Sequence, residues 1–196
     1  MTVHPGNRDR ILTRSDSQPD ILVYPVSLEE LDTLADVLAL SFHPRVGLQG
    51  LVWPVLRLGI REDIRRRLLG KNPKYCCLGA WSNDELVGTL EIGMRRTSSP
   101  SQANYSTDKT RSPYIANLAV LPDWRRKGIA SKLLLGAEGI AATWGSDRIF
   151  LHVLETNKAA QRLYLNAGYR MQGRSATAWN YFGTPREILL YKSLSE

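Results

Sequence analysis

Apolar positions follow two rhythms along the chain, and the switches between them mark out its elements. Ile21 to Val26 reads as a first strand ending at Ser27. Ser27 and Glu30 form a capping box ahead of Leu28, Leu31, Leu34, Leu38 and Phe42, which share one helical face until Pro44 and Gly47. Val52, Leu56, Ile60, Ile64 and Leu68, spaced by four, predict a second helix that stops at Gly70, Asn72 and Pro73. Arg61, Arg65, Arg66 and Arg67 read as its solvated opposite face. Tyr75 to Trp81 and Leu86 to Met94 read as strands joined by a tight turn at Ser82, Asn83 and Asp84. Arg96 to Ser112, rich in Ser, Thr and charge around Pro100, reads as a flexible loop.

Tyr114 to Val120 is strand-like and closes at Leu121, Pro122 and Asp123. Gly128 then opens a long helix with Ile129, Leu133, Ala137, Ile140 and Trp144 inward, stopped near Gly145. Arg148 to Val153 is another strand, and Asn157 caps a helix running to Asn166 with Gly168 as terminator. Two closing strands, Arg170 to Trp179 and Arg186 to Leu194, flank a turn at Phe182 to Pro185. The order β-α-α-β-β-β-α-β-α-β-β predicts a mixed α/β sheet in a single domain over 21–196, behind a flexible polar tail at 1–20.

Composition narrows the function classes. At 196 residues, 43% hydrophobic and 23% charged, the chain reads as one ordinary globular domain. No apolar run approaches the roughly 18–20 residues of a membrane span. The first twenty residues carry Asp9, Asp16 and Asp20 and no apolar stretch of the kind a secretory signal needs. Cys76 and Cys77 are neighbours on a strand, so they face opposite ways and read as packing residues in a reducing, cytoplasmic setting. His4, His43 and His152 are scattered and give no metal-ligand cluster. The formal charge of +7 suits an acidic cofactor or partner; a nucleic-acid reading would rest on charge alone.

The chemistry concentrates in Asn117-Leu-Ala-Val-Leu-Pro-Asp-Trp-Arg-Arg-Lys-Gly-Ile-Ala130. A strand enters a basic turn, and a helix begins directly after a glycine. Unpaired N–H groups at such a helix start converge on one point and, with the helix dipole, bind anions. Gly128 lets an oxygen-rich ligand approach the backbone, and Arg125, Arg126 and Lys127 add positive charge.

Arg125-x-x-Gly128-x-Ala130, preceded by Trp124, resembles motif A of the GNAT superfamily of N-acetyltransferases. Asn157-Lys-Ala-Ala-Gln-Arg-Leu-Tyr164-Leu-Asn-Ala-Gly168 is similar to its motif B. The resemblance spans about Ile21 to Leu194 and implies that acetyl-coenzyme A is the cosubstrate, with no metal. It implies that Arg125, Arg126, Lys127, Gly128, Ile129 and Ala130 hold the pyrophosphate, and that Leu118 and Val120 hold the pantetheine arm through main chain. The family's bulged strand makes a slot for the cofactor, and the Leu118 amide is the candidate to polarise the thioester carbonyl. Asn157 would contact the cofactor, and Tyr164 would donate a proton to the departing thiolate. An ordinary amphipathic core tyrosine is the other reading of Tyr164.

Leu151-His152-Val153 stands where the similar bacterial enzymes acting on ribosomal-protein N-termini carry Leu-Glu-Val, with Glu as general base. Histidine titrates near neutrality and can serve directly or through water; a satisfied strand histidine is the alternative. Glu155 falls in the loop beyond. Trp179-Asn180-Tyr181-Phe182 resembles the aromatic turn that closes over peptides in N-terminal acetyltransferases. The opposite wall would be Phe42 to Gly50. The resemblance therefore implies a protein or peptide acceptor with a free amine, α-amino before lysine ε-amino, and similar cyanobacterial and plastid proteins act on both. A small-amine acetyltransferase and a non-catalytic acyl-coenzyme A-binding regulatory module are the alternatives.

Overall fold

A computed structural model describes residues 20–42, 49–70, 72–96, 111–175 and 186–194. Among the described residues, strands β1 (Leu22–Pro25), β2 (Tyr75–Ser82), β3 (Glu85–Arg96), β4 (Arg111–Val120), β5 (Arg148–Leu154), β6 (Arg170–Ser175) and β7 (Glu187–Ser193) are interspersed with four α-helices. These are α1 (Leu31–Phe42), α2 (Gln49–Leu69), α3 (Ile129–Thr143) and α4 (Lys158–Asn166), and the element order is the one the periodicity predicts. The strands form one sheet ordered β1-β2-β3-β4-β5-β7-β6. Its pairs are antiparallel except β4 with β5, which run parallel.

Strand alternation sends side chains to two faces, each with its own core. Ile129, Leu133, Leu134, Ala137 and Ala141 of α3, with Tyr164 of α4, pack on Leu78, Leu90, Ile92, Ile115, Ile149 and Leu151. On the other face Leu31, Leu34 and Leu38 of α1 and Ile64 of α2 cover Cys77, Trp81 and Leu86. The cysteines divide as expected: Cys77 lies in the second core, whereas Cys76 packs against the first. Further along this second face, Tyr114, Phe150 and Leu189 form a smaller cluster of sheet residues.

Local chemistry accounts for the boundaries. The Glu30 carboxylate accepts from the Ser27 N–H at 2.7 Å, the returning half of the capping box. Asn83 and Asp84, at φ 47° and 64°, make the left-handed turn that joins β2 to β3. The Asn157 side chain accepts from the Ala160 N–H at 3.0 Å and starts α4.

Three expectations are corrected. Leu28 (48% exposed) and Phe42 (51%) flank the apolar stripe of α1 without being buried, because they stand at its ends. Residues Arg111 and Ser112 are not loop: they extend β4 and pair with Arg96 and Arg95 of β3. Nor do the arginines of α2 form one solvated face. Arg61 pairs with Asp32 of α1 at 3.0 Å, and Arg67 reaches the buried Glu91 at 2.8 Å. The tail at 1–19 and the loop residues 97–110 lie outside the described residues, as do 176–185.

Candidate functional site

The site begins where two parallel strands part. β4 and β5 pair only at Tyr114 with Phe150 and Ile115 with Leu151. Beyond that, β4 stays with β3 and β5 with β7, so a slot opens between them. The register of β4 on β3 jumps from Glu91 opposite Ala116 to Thr89 opposite Ala119. Asn117 and Leu118 therefore share the single position opposite Leu90, a bulge in which Asn117 adopts φ 51°. The Leu121 N–H bonds the Val87 carbonyl at 3.0 Å and so faces β3. Alternation then turns the main-chain groups of Val120 and Leu118 to the other edge, which β5 has left.

At the end of the slot, the 3-10 turn Pro122–Trp124 leads into the basic loop. Arg126 and Gly128 take left-handed conformations, φ 66° and 78°, and α3 starts at Ile129. The N–H groups of its first turn have no intrahelical acceptor. A side chain built on Gly128 would meet nothing within 4 Å, so the approach to those N–H groups is open. Two of the three basic side chains are turned back on the protein. Arg125 Nε donates to the Val120 carbonyl at 3.1 Å, and Lys127 Nζ stands 4.6 Å from the centre of the Trp124 ring. The result is an electropositive cradle of main-chain donors, suited to a diphosphate.

Three titratable side chains gather at the junction of slot and sheet. His152, half-buried on β5, shares a 2.7 Å hydrogen bond through Nδ1 with the Tyr114 hydroxyl of β4. Burial lowers the His152 pKa below its ordinary 6.5; Glu187 opposes that shift and Arg95 reinforces it. Tyr114 is buried, its pKa is raised chiefly by desolvation, and the Arg95 guanidinium lies 4.6 Å from its ring centre. Tyr164 projects from α4 with its ring edge-on to Tyr169. Its pKa is pushed up to about 12, first by burial and then by Tyr114, which keeps it a hydrogen-bond donor at neutral pH.

Beside this group a cleft of about 330 Å3 is lined by Arg67, Tyr75, Glu91, Arg95, Tyr114 and Ala116. The chain thus lines one edge of the slot with Leu118, Val120 and the loop Arg125–Ala130, and sets His152 on the strand across it; Tyr164 packs in the core on the α3 face, close enough to Tyr114 to feel its charge. Asn157 spends its side-chain oxygen on capping α4. Phe42 is exposed at the end of α1, and Tyr181 with its aromatic neighbours lies outside the described residues. Glu155 sits in the turn after β5, where its N–H bonds the Arg186 carbonyl at 2.8 Å. Sequence reading missed Tyr114 and Glu91 as polar participants. A lone carboxylate in the apolar run Val87 to Ile92 was the available signal for the latter.

Comparison with known proteins bears on the family and the fold. The sequence profile of the acetyltransferase (GNAT) family matches residues 38–169. Among curated relatives, the chloroplastic GCN5-related N-acetyltransferase 10 of Arabidopsis thaliana is 30% identical over 179 residues, covering 85% of this chain and 69% of that protein. The chloroplastic GCN5-related N-acetyltransferase 7 of the same plant is 29% identical over 116 residues, 58% of this chain. The chain spans 38% and 29% of the length of the first two curated relatives it matches. A crystal structure of Arabidopsis thaliana NAA60 in complex with acetyl-CoA superposes with a TM-score of 0.66 at 19% identity, covering 89% of this chain and 98% of that one.

Proposed function

Because the chain belongs to the GNAT acetyltransferase family, we propose that it moves the acetyl group of acetyl-coenzyme A onto a protein amine, the N-terminal α-amine before the lysine ε-amine. The slot between β4 and β5 carries this reading: one edge offers main-chain groups that no strand pairs, although the Val120 carbonyl accepts from Arg125, one end offers a diphosphate cradle, and its inner end a histidine base. Acetyl-coenzyme A fits these residues. The N–H groups at the start of α3, opened by Gly128, take the pyrophosphate, and the main chain of Leu118 and Val120 takes the pantetheine arm.

The thioester is already activated, so no acyl-enzyme is required and the amine attacks directly. Leu118 N–H donates to the carbonyl oxygen as negative charge builds there. His152 takes the amine proton at Nε2, directly or through one water, which requires the tautomer whose Nδ1–H donates in the hydrogen bond that Nδ1 shares with Tyr114. The nitrogen–carbon bond forms, the carbon–sulfur bond breaks, and the Tyr164 hydroxyl donates to the departing sulfur. With a pKa near 12, that tyrosine stabilises the thiolate by hydrogen bonding and does not lose its proton to bulk water.

Acceptor preference follows from the weakness of the base. An α-amine of pKa about 7.7–8.0 is roughly 10–20% neutral at pH 7, against about 0.04% for a lysine near 10.4. A histidine whose pKa lies below 6.5 matches the former. Thiol release from acetyl-coenzyme A tests the proposal with three acceptors: peptides with a free α-amine, N-blocked peptides bearing lysine, and polyamines. Free α-amines are expected to be fastest. Gly128→Glu should abolish release, since it strains a left-handed position and puts a carboxylate in the anion cradle. Tyr164→Phe should lower kcat about 100-fold with little change in KM for acetyl-coenzyme A. Turnover confined to polyamines or blocked lysines overturns the acceptor assignment, and cofactor binding without any release overturns the enzyme.

A further inference from the structure

Glu91 is a carboxylate at 2% exposure in the centre of β3, with both oxygens occupied. Oε2 accepts from Arg67 Nη1 at 2.8 Å and from the Tyr75 hydroxyl at 2.7 Å; Oε1 accepts from Asn117 Nδ2 at 2.5 Å. Arg67 comes from the last turn of α2, where Asp63 also holds it, and Tyr75 opens β2. Burying a carboxylate costs several kcal/mol before its partners offset it, and an apolar set of similar volume commonly stabilises at least as well. What this cluster contacts is the bulge.

Asn117 is one of two β4 residues sharing the position opposite Leu90, and it stands at φ 51°. Outside glycine, that conformation is favoured mainly by Asn and Asp, but it competes with the extended one. The hydrogen bond to Glu91 selects it. Leu118 follows directly, so the Asn117 backbone angles set the direction of the Leu118 N–H. We propose that Glu91 is a positioning residue: anchored by Arg67 and Tyr75, it holds Asn117 in the left-handed bulge and so aims the Leu118 N–H at the thioester carbonyl. This inference rests on Leu118 being the carbonyl donor, as proposed above. Glu91 itself touches no substrate.

The test is isotope-edited infrared spectroscopy of carbonyl-13C acetyl-coenzyme A bound to the protein without acceptor, alongside kinetics. Asn117→Gly keeps the left-handed angle accessible and cuts the tether; Glu91→Gln keeps the shape and weakens it. In the unaltered protein the carbonyl stretch should fall on binding. In both variants that fall should shrink and kcat should drop about 10–100-fold, while KM for acetyl-coenzyme A stays within about threefold. A full carbonyl shift and unchanged kcat in Asn117→Gly, or in Glu91→Gln should the glycine variant not fold, overturns the tether alone. Loss of kcat that is matched by a rise in KM, with the shift intact, overturns it too. No shift in the unaltered protein instead overturns the donor assignment at Leu118 and the tether with it.

Discussion

Two polar clusters interrupt the same face of the sheet on either side of β4, and they are built in opposite ways. Around Glu91 every capacity is spent: three donors from α2, β2 and β4 fill two carboxylate oxygens at 2% exposure. Around His152 capacity is left over. Tyr114 takes Nδ1, and Nε2 has no protein partner among the described residues. A saturated buried network resists rearrangement and specifies shape. A half-buried base with one free nitrogen can exchange a proton. On the function proposed above, the first cluster holds the slot and the second reacts in it, so breaking each should disturb a different observable.

The largest effect should come from the saturated side. Glu91→Ala strands Arg67, Tyr75 and Asn117 around a space they cannot fill, and removing one partner of a buried ion pair costs about 3–5 kcal/mol. Arg67 keeps Asp63 and some solvent contact, which points to the lower end, about 3 kcal/mol. A urea titration should show the midpoint fall with an unchanged slope. A midpoint within experimental error of the unaltered protein would mean the cluster bears no load.

Why one side of the comparison was legible from sequence and the other was not follows from how each is encoded. Gly128, the helix after it and the strand before it are local: spacing and a glycine that must take φ 78° suffice to place an anion cradle. His152 stood out because it occupies the strand position at which the resembling bacterial enzymes carry a glutamate. The Glu91 cluster joins residues 24 and 26 positions apart, and Tyr114 meets His152 across 38. No periodicity reports such pairs; only the sheet order brings them together. A local hint existed even so. Arg67 follows Ile60 and Ile64 by seven and three, on the apolar stripe of α2 and not opposite it, so its place in a basic run concealed its direction. The bulge at Asn117 and Leu118 carries no sequence mark beyond an asparagine, and its left-handed angle emerges only in the register with β3.

On the open side, His152→Ala should leave stability within about 1 kcal/mol, since it removes one hydrogen bond that solvent can replace. It should lower kcat about 100-fold at pH 7. The sign of the pH dependence is fixed by burial, which lowers the His152 pKa below 6.5. The histidine is therefore the free base at neutrality, and kcat in the unaltered protein should fall only as pH drops below about 6.5. Stability contributed by the neutral imidazole is lost over the same descent, from the unfolded pKa toward the lower folded one. The variant should lack that acidic limb and regain part of its rate above pH 8, as the acceptor amine deprotonates itself. A uniform loss at every pH would remove His152 as base and leave it a packing residue.

Tyr114→Phe should have the smallest effect and discriminates most finely, because it keeps the ring and deletes one oxygen. A neutral hydrogen bond contributes about 0.5–1.5 kcal/mol, which sets the expected loss in kcat at roughly 2–12-fold. Direction decides the tautomer. If Nδ1–H donates to the Tyr114 oxygen, Nε2 carries the lone pair that accepts the amine proton, and the imidazolium loses an acceptor in the variant. The acidic limb of the kcat profile should then move to still lower pH. Movement to higher pH would mean that the tyrosine donates to Nδ1 in the unaltered protein, so that Nε2 already bears a proton and the base must be sought elsewhere. The saturated cluster offers no such choice of tautomer, and that difference is why one oxygen on the open side can be read in a rate profile while its counterparts around Glu91 are read in a denaturation curve.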